Sequence, residues 1–137
     1  MILLDPPTVA EALKPTPCKP LQEWLDKQIA ETLHISSITI AEILASLHSA
    51  HHPNAERKDF LRETLEGLLG LFEQRVLPFD HDAARCYAEL GDLTSLPQAN
   101  GYIVATALSK GFSLASRDTA IYQASGVTLL NPWEAAS

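Results

Sequence analysis

Asn100-Gly101-Tyr102-Ile103-Val104-Ala105-Thr106-Ala107-Leu108-Ser109-Lys110-Gly111-Phe112-Ser113-Leu114-Ala115-Ser116-Arg117-Asp118 is the stretch that decides the fold. Asn100 to Lys110 reads as a helix. Gly111 stops it, because glycine takes the left-handed conformation that closes a helix without a steric penalty. Phe112-Ser113-Leu114-Ala115 is then a short buried strand, ending just before Asp118. A helix, a sharp stop, a strand and an acid at the strand's carboxyl end make one unit of a parallel α/β sheet.

The same pattern extends outward. On the carboxyl side, Val127-Thr128-Leu129-Leu130 closes the sheet and Asn131-Pro132-Trp133 terminates it. At the amino end, Ile2-Leu3-Leu4 is a strand running into Asp5, and Pro6-Pro7 forbids its continuation because proline cannot donate to a strand ladder. A turn or short helix is expected from Thr8 to Leu13, a loop from Lys14 to Pro20, and a helix carrying Leu21, Trp24, Leu25 and Gln28. Leu33 to Ser36 is the next strand. From Thr39, Ile40, Ile43, Leu44 and Leu47 mark one face of a helix running to about His51, where Pro53 ends it. Ala55 to Gln74 reads as a second long helix with Phe60, Leu61, Leu65, Leu68, Leu69 and Phe72 on its inner side, paired with the first as a hairpin. Val76 to Phe79 is extended, Asp80 is an expected N-cap, Ala83 to Leu90 is a helix, and a polar loop follows. Strands alternating with helices imply right-handed βαβ crossovers and helices on both faces of the sheet. No internal repeat or linker divides the chain.

At 137 residues the chain fits a single domain, residues 1–137, large enough to bury a core without a disulfide or a structural metal. No apolar run is long enough to span a membrane, and the start lacks the basic leader of a secretory signal, so a cytoplasmic protein with no membrane association is expected. Cys18 and Cys86 are too few and too isolated for a zinc knuckle and read as structural thiols. The net charge of −7 opposes nonspecific adhesion to nucleic acid. It does not exclude a nuclease, because an acidic site approaches phosphate through a bound cation that reverses the local charge.

Four polar residues stand where strands hand over to helices: Asp5, Glu42, Asn100 and Asp118. The carboxyl ends of parallel strands lie side by side, so these residues converge on one metal site although sequence separates them. Each also has a purely structural reading. Glu42 follows Thr39 at capping-box spacing, Asp118 and Asn100 suit N-caps, and Asp5 suits a solvated turn. His48, His51 and His52 cluster near a helix end but lack a further ligand for zinc, so they read as a solvated terminus. Arg117 suits either a phosphate or a neighbouring carboxylate. The Leu and Phe stripe from Phe60 to Phe72 suits core or a dimer surface.

Six segments together resemble the VapC/FitB-type PIN domains. They are Asp5 after the first strand, Ser36-Ser37-Ile38-Thr39-Ile40-Ala41-Glu42, Leu77-Pro78-Phe79-Asp80, Asn100 to Ala107, Ser116-Arg117-Asp118-Thr119 and Asn131-Pro132-Trp133. The resemblance covers nearly the whole chain. It implies a three-layer α/β/α fold with a central parallel sheet flanked by helices. It also implies an endoribonuclease dependent on Mg²⁺ or Mn²⁺, the toxin of a toxin–antitoxin pair, with a small DNA-binding antitoxin as partner, RNA as substrate and a homodimeric state. By position, Asp5, Glu42 and Asp118 match three of the family's four site acids, and Asn100 stands where the remaining acid is expected. Pro6-Pro7 replaces a Thr-Asn pair, the stretch from Leu90 to Asn100 is shortened, and Ile121 stands where many relatives carry an acid.

Phosphodiester hydrolysis needs a cation that polarises the phosphoryl oxygen, lowers the pKa of the attacking water and neutralises the leaving oxygen. Mg²⁺ takes one or two carboxylates directly, so Asp5 and Asp118 are the expected ligands, with Glu42 acting through water or a second ion and Asn100 offering a neutral carbonyl oxygen. The expected function is therefore a metal-dependent ribonuclease toxin weakened at Asn100 and Pro7. The alternative is a catalytically silent PIN-fold binding module that acts through dimerisation and an antitoxin.

Overall fold

The computed structural model describes residues 1–50, 55–91 and 96–134. Five short strands, β1 (Ile2–Leu4), β2 (Leu33–Ser36), β3 (Val76–Leu77), β4 (Ser113–Ala115) and β5 (Leu129–Leu130), form one sheet in the order β3-β2-β1-β4-β5. All four pairings are parallel. The amino-terminal strand occupies the centre: Ile2, Leu3 and Leu4 pair with Leu33, His34 and Ile35 on one edge and with Ser113, Leu114 and Ala115 on the other.

Strand side chains alternate between faces, so Leu3 and Leu114 enter one core while Leu4, Ile35 and Ala115 enter the other. The second of these cores is covered by α1 (Pro6–Ala12), α2 (Lys19–Asp26), α3 (Ser37–Ala50) and α4 (Ala55–Leu71), which supply Val9, Leu21, Trp24, Ile43 and Leu68. The opposite face is covered by α6 (Gln98–Lys110) through Ile103, Val104 and Ala107, with α5 (His81–Glu89) packed on α6. This is the expected three-layer α/β/α sandwich. Each fully buried Leu, such as Leu3, Leu21 or Leu114, contributes roughly 1.5–3 kcal/mol to it.

Several boundaries differ from the sequence reading. Helix α1 starts at Pro6 rather than Thr8, because both prolines occupy its first turn, where the missing N–H groups would have had no helical partner. Helix α2 likewise starts at Lys19, inside the expected loop, with Pro20 at its second position. Helix α3 starts at Ser37, so Thr39 lies inside the helix and the Thr39–Glu42 capping box does not form. The Ser36 hydroxyl takes up the Ile38 N–H instead, at 2.9 Å, and the buried Thr39 hydroxyl has no hydrogen-bond partner. Asp80 caps α5 as expected, accepting the Ala83 N–H at 3.0 Å. On α4, Leu68 is buried and Phe72 just beyond it half-buried, whereas Phe60, Leu69 and Leu71 are exposed, so the expected inner stripe is only partly inside. His48 is exposed in the last turn of α3, and His51, His52, Pro53 and part of the Leu90–Asn100 loop lie outside the described residues. Cys18 and Cys86 are free and half-buried. No helix among the described residues is long and apolar enough to cross a membrane.

Candidate functional site

The sheet reverses its order of growth between β1 and β4. From β1 the chain moves outward through β2 to β3, then returns to place β4 and β5 on the other side. At such a switch point the connections leave in opposite directions and open a crevice at the strand ends, where ligands of open α/β sheets bind. Asp5 leaves β1 into this crevice, and Ser116, Arg117 and Asp118 leave β4 beside it. The Asp5 N–H donates to the Ala115 carbonyl at 3.1 Å, which ties the two strand ends together.

Asp5 is not a solvated turn residue. It is 2 % exposed and caps α1, its carboxylate accepting from the Thr8 N–H at 3.0 Å and from the Thr8 hydroxyl at 2.5 Å. Burial pushes its pKa above the ordinary value of 3.8. Hydrogen bonds from Ser116 and Thr8 oppose that rise, and repulsion from Asp118 adds to it. The charge is held by hydroxyl and amide donors, with no cationic side chain among the causes of its shift.

Ser116 is fully buried and serves both acids: its hydroxyl helps to hold down the Asp5 pKa, and its oxygen accepts the Asp118 N–H at 3.1 Å. Asp118 precedes a 3₁₀ segment, Thr119–Ser125, but makes no side-chain cap, contrary to the N-cap reading. Its carboxylate is exposed at the mouth of the crevice. A buried acid and an exposed one that repel each other describe a site in which a cation would relieve unfavourable charge.

Asn100 is also not an N-cap. Pro97 precedes α6, which puts Asn100 in the first turn of that helix, where the helix dipole favours an anion. Its side-chain Nδ2 donates to the Tyr122 hydroxyl at 2.8 Å. Tyr122 is 1 % exposed, and its pKa is raised strongly by burial and further by the charges of Asp5 and Asp118. The structure thus brings Asp5, Asp118 and Asn100 to one place, with Thr8, Ser116 and Tyr122 as supports that sequence reasoning did not single out. Ser116 had a signal in its position two residues before Asp118, whereas nothing in the sequence relates Tyr122 to Asn100.

Glu42 is set apart. It is exposed on α3 and shares a surface cleft with Pro6, Pro7, Ala10 and Ser46, next to the start of α1. Among the described residues, no three His, Cys, Asp or Glu side chains form a compact metal-holding group. The donor set at the switch point still suits a hard divalent cation, because Mg²⁺ binds through one or two carboxylates and keeps several waters. Arg117, next to Asp118 in the chain, sits 5.6 Å from the centre of the Trp133 ring, a cation–π contact.

A PIN domain family model matches residues 15–127, a span that takes in Glu42, Asn100 and Asp118. The chain is 41% identical over 142 aligned positions to VapC ribonuclease Y4jK of Sinorhizobium fredii, covering 99% of this chain and 100% of the relative. It is 39% identical over 139 positions to Toxin FitB of Neisseria gonorrhoeae, covering 97% of this chain and 99% of the relative. Among solved structures, FitAcB from Neisseria gonorrhoeae superposes with a TM-score of 0.83 at 38% identity, covering 98% of this chain and 99% of that one. FitAB bound to an IR36 DNA fragment superposes with a TM-score of 0.84 at 33% identity, covering 98% of this chain and 96% of that one. With the fold, the family match and full-length similarity in agreement, the chain belongs to the PIN-domain family, among its VapC/FitB-type members.

Proposed function

We propose that this protein is the toxin of a VapC/FitB-type toxin–antitoxin pair and a divalent-metal-dependent endoribonuclease. The observation that carries the proposal is the Asp5–Ser116–Asp118 arrangement at the β1/β4 switch point, in a chain 41% identical to a VapC ribonuclease. Asp5 and Asp118 would hold Mg²⁺ or Mn²⁺, the Asn100 carbonyl oxygen would face it, and Glu42 would act through water from the rim. The bound cation would supply Lewis acidity towards a phosphodiester and an activated water. The chain's own residues would do the rest: Thr8 and Ser116 oppose the rise that burial gives the Asp5 pKa, and Asn100 would face the acid pair from the first turn of α6. Arg117 offers a guanidinium for an adjoining phosphate.

The structural relatives are FitAB and FitAcB complexes, one of them on DNA, which supports a small DNA-binding antitoxin as the partner and DNA contact through that partner. One observation favours a second reading, a silent binding module: Asn100 brings no charge, and its amide is committed to Tyr122.

Cleavage of a mixed RNA pool with Mn²⁺ or Mg²⁺, by the natural chain beside Asp5→Asn and Asn100→Asp, separates the two. Cleavage that vanishes in Asp5→Asn supports the ribonuclease. A silent natural chain with an active Asn100→Asp variant supports the binding module.

A further inference from the structure

We infer that Tyr122 is a positioning residue of this site, whose buried hydroxyl holds the Asn100 amide so that its carbonyl oxygen is presented beside the Asp5 and Asp118 carboxylates. The inference rests on the metal-site reading above and adds a residue from outside the acidic set. Tyr122 packs in the core with Leu3, Ile103, Leu114 and Val127, so its ring has no room to swing away. Its hydroxyl lies 2.8 Å from Asn100 Nδ2. The oxygen and nitrogen of an amide share one planar carbon, so holding the nitrogen on Tyr122 also fixes the direction of the oxygen. Burial raises the Tyr122 pKa and the charges of Asp5 and Asp118 raise it further, so the hydroxyl that holds the amide lies in the neighbourhood of both acids.

Electrostatics alone would arrange Asn100 the other way. Two anions attract the NH₂ end of a free amide, which would then occupy the space of a cation and turn the carbonyl oxygen outward. The Tyr122 oxygen removes that option by taking the NH₂ group for itself. The same hydroxyl can donate as well as accept, so it would also serve an aspartate at position 100.

The test uses the full chain with Tyr122→Phe, Asn100→Ala and the double variant. Phenylalanine keeps the packing and removes only the hydroxyl. In metal-free protein, the NMR signal of the Asn100 side-chain amide, identified by its loss in Asn100→Ala, should exchange slowly with solvent and at least about tenfold faster in Tyr122→Phe. Mn²⁺ affinity by calorimetry should fall about fivefold on Tyr122→Phe in the natural background and less than about twofold in the Asn100→Ala background. Equal weakening in both backgrounds, or amide exchange indifferent to Tyr122→Phe, overturns the inference. If the amide is held but the natural chain takes up no Mn²⁺, the metal reading fails and the Tyr122 clamp stands.

Discussion

The Asn100 side-chain amide donates to the Tyr122 hydroxyl across 22 residues of sequence, at 2.8 Å, and so joins the first turn of α6 to the 3₁₀ segment after β4. A neutral group thereby stands where the resemblance to the family leads one to expect a charge.

Asn100→Asp therefore adds a third anion to the Asp5–Asp118 pair. Without metal, the extra repulsion should lower the melting temperature. With Mn²⁺, the gain on binding should exceed that of the natural chain, each tenfold in affinity being worth about 1.4 kcal/mol. Thermal melts with EDTA and with saturating Mn²⁺ check both parts. Melts that coincide with the natural chain's in both conditions would place Asn100 away from the cation.

Asp5→Asn should stabilise the metal-free protein at neutral pH. Burial, with Asp118 adding repulsion, raises the folded pKa of Asp5 above 3.8, so the folded chain binds that proton more tightly than the unfolded one. The ionised form then costs stability above the folded pKa, and the cost fades as pH falls through that value towards 3.8. The variant should melt higher than the natural chain at pH 7. Its advantage should vanish near pH 4, and a constant offset across that range would contradict the assignment.

Ser116→Ala removes the one hydroxyl that serves both acids. Stability should fall by about 1–2 kcal/mol, because the Asp118 N–H loses its acceptor and Asp5 a donor. Losing that donor also moves the Asp5 pKa further up. The pH at which Mn²⁺ binding is half lost should move upward, as a titration of affinity against pH would show; a variant that only loosened the fold would leave that midpoint in place.

Gly101→Ala should change sign with its neighbour. A Cβ at 101 would stand 3.0 Å from Tyr87 Cε2, and Tyr87 is held against Tyr102 with ring centres 4.8 Å apart. Overpacking costs about 1–3 kcal/mol and outweighs the ~0.5–1 kcal/mol gained in helix propensity. The substitution is destabilising in the natural chain and stabilising in a Tyr87→Ala background, measurable by urea unfolding. Equal effects in both would mean that Tyr87 is not the obstacle.

The Asn100-Gly101 dipeptide invites deamidation in a flexible chain, but here the Gly101 N–H that would have to attack is bonded within α6 to the Pro97 carbonyl at 3.1 Å. Peptide mass spectrometry after storage at neutral pH should find no mass gain at Asn100, and a measurable aspartate fraction would show that the first turn of α6 opens.

How legible was this site? Strand ends were readable because each apolar run stops at a polar residue or a proline, and that located Asp5 and Asp118. Helix starts were less so. Pro6-Pro7 and Lys19-Pro20 were read as breaks, although proline suits a first turn, and Thr39–Glu42 had capping-box spacing without being at a helix start. The supporting shell was hidden for another reason. Tyr122 meets Asn100 across 22 residues through the fold alone, so no local pattern marks it, whereas Thr8 and Ser116 serve Asp5 and Asp118 from two or three residues away and looked like ordinary turn residues.

The central place of β1 has a consequence for the chain as it is made. Asp5 follows β1, yet its partner acid Asp118 follows β4, a strand made more than a hundred residues later that must dock on β1 from the far side. Until that strand emerges, the nascent protein holds half a site. If the proposed nuclease reading holds, a chain without a docked β4 lacks the acid pair that would hold the cation, so activity would wait for that docking.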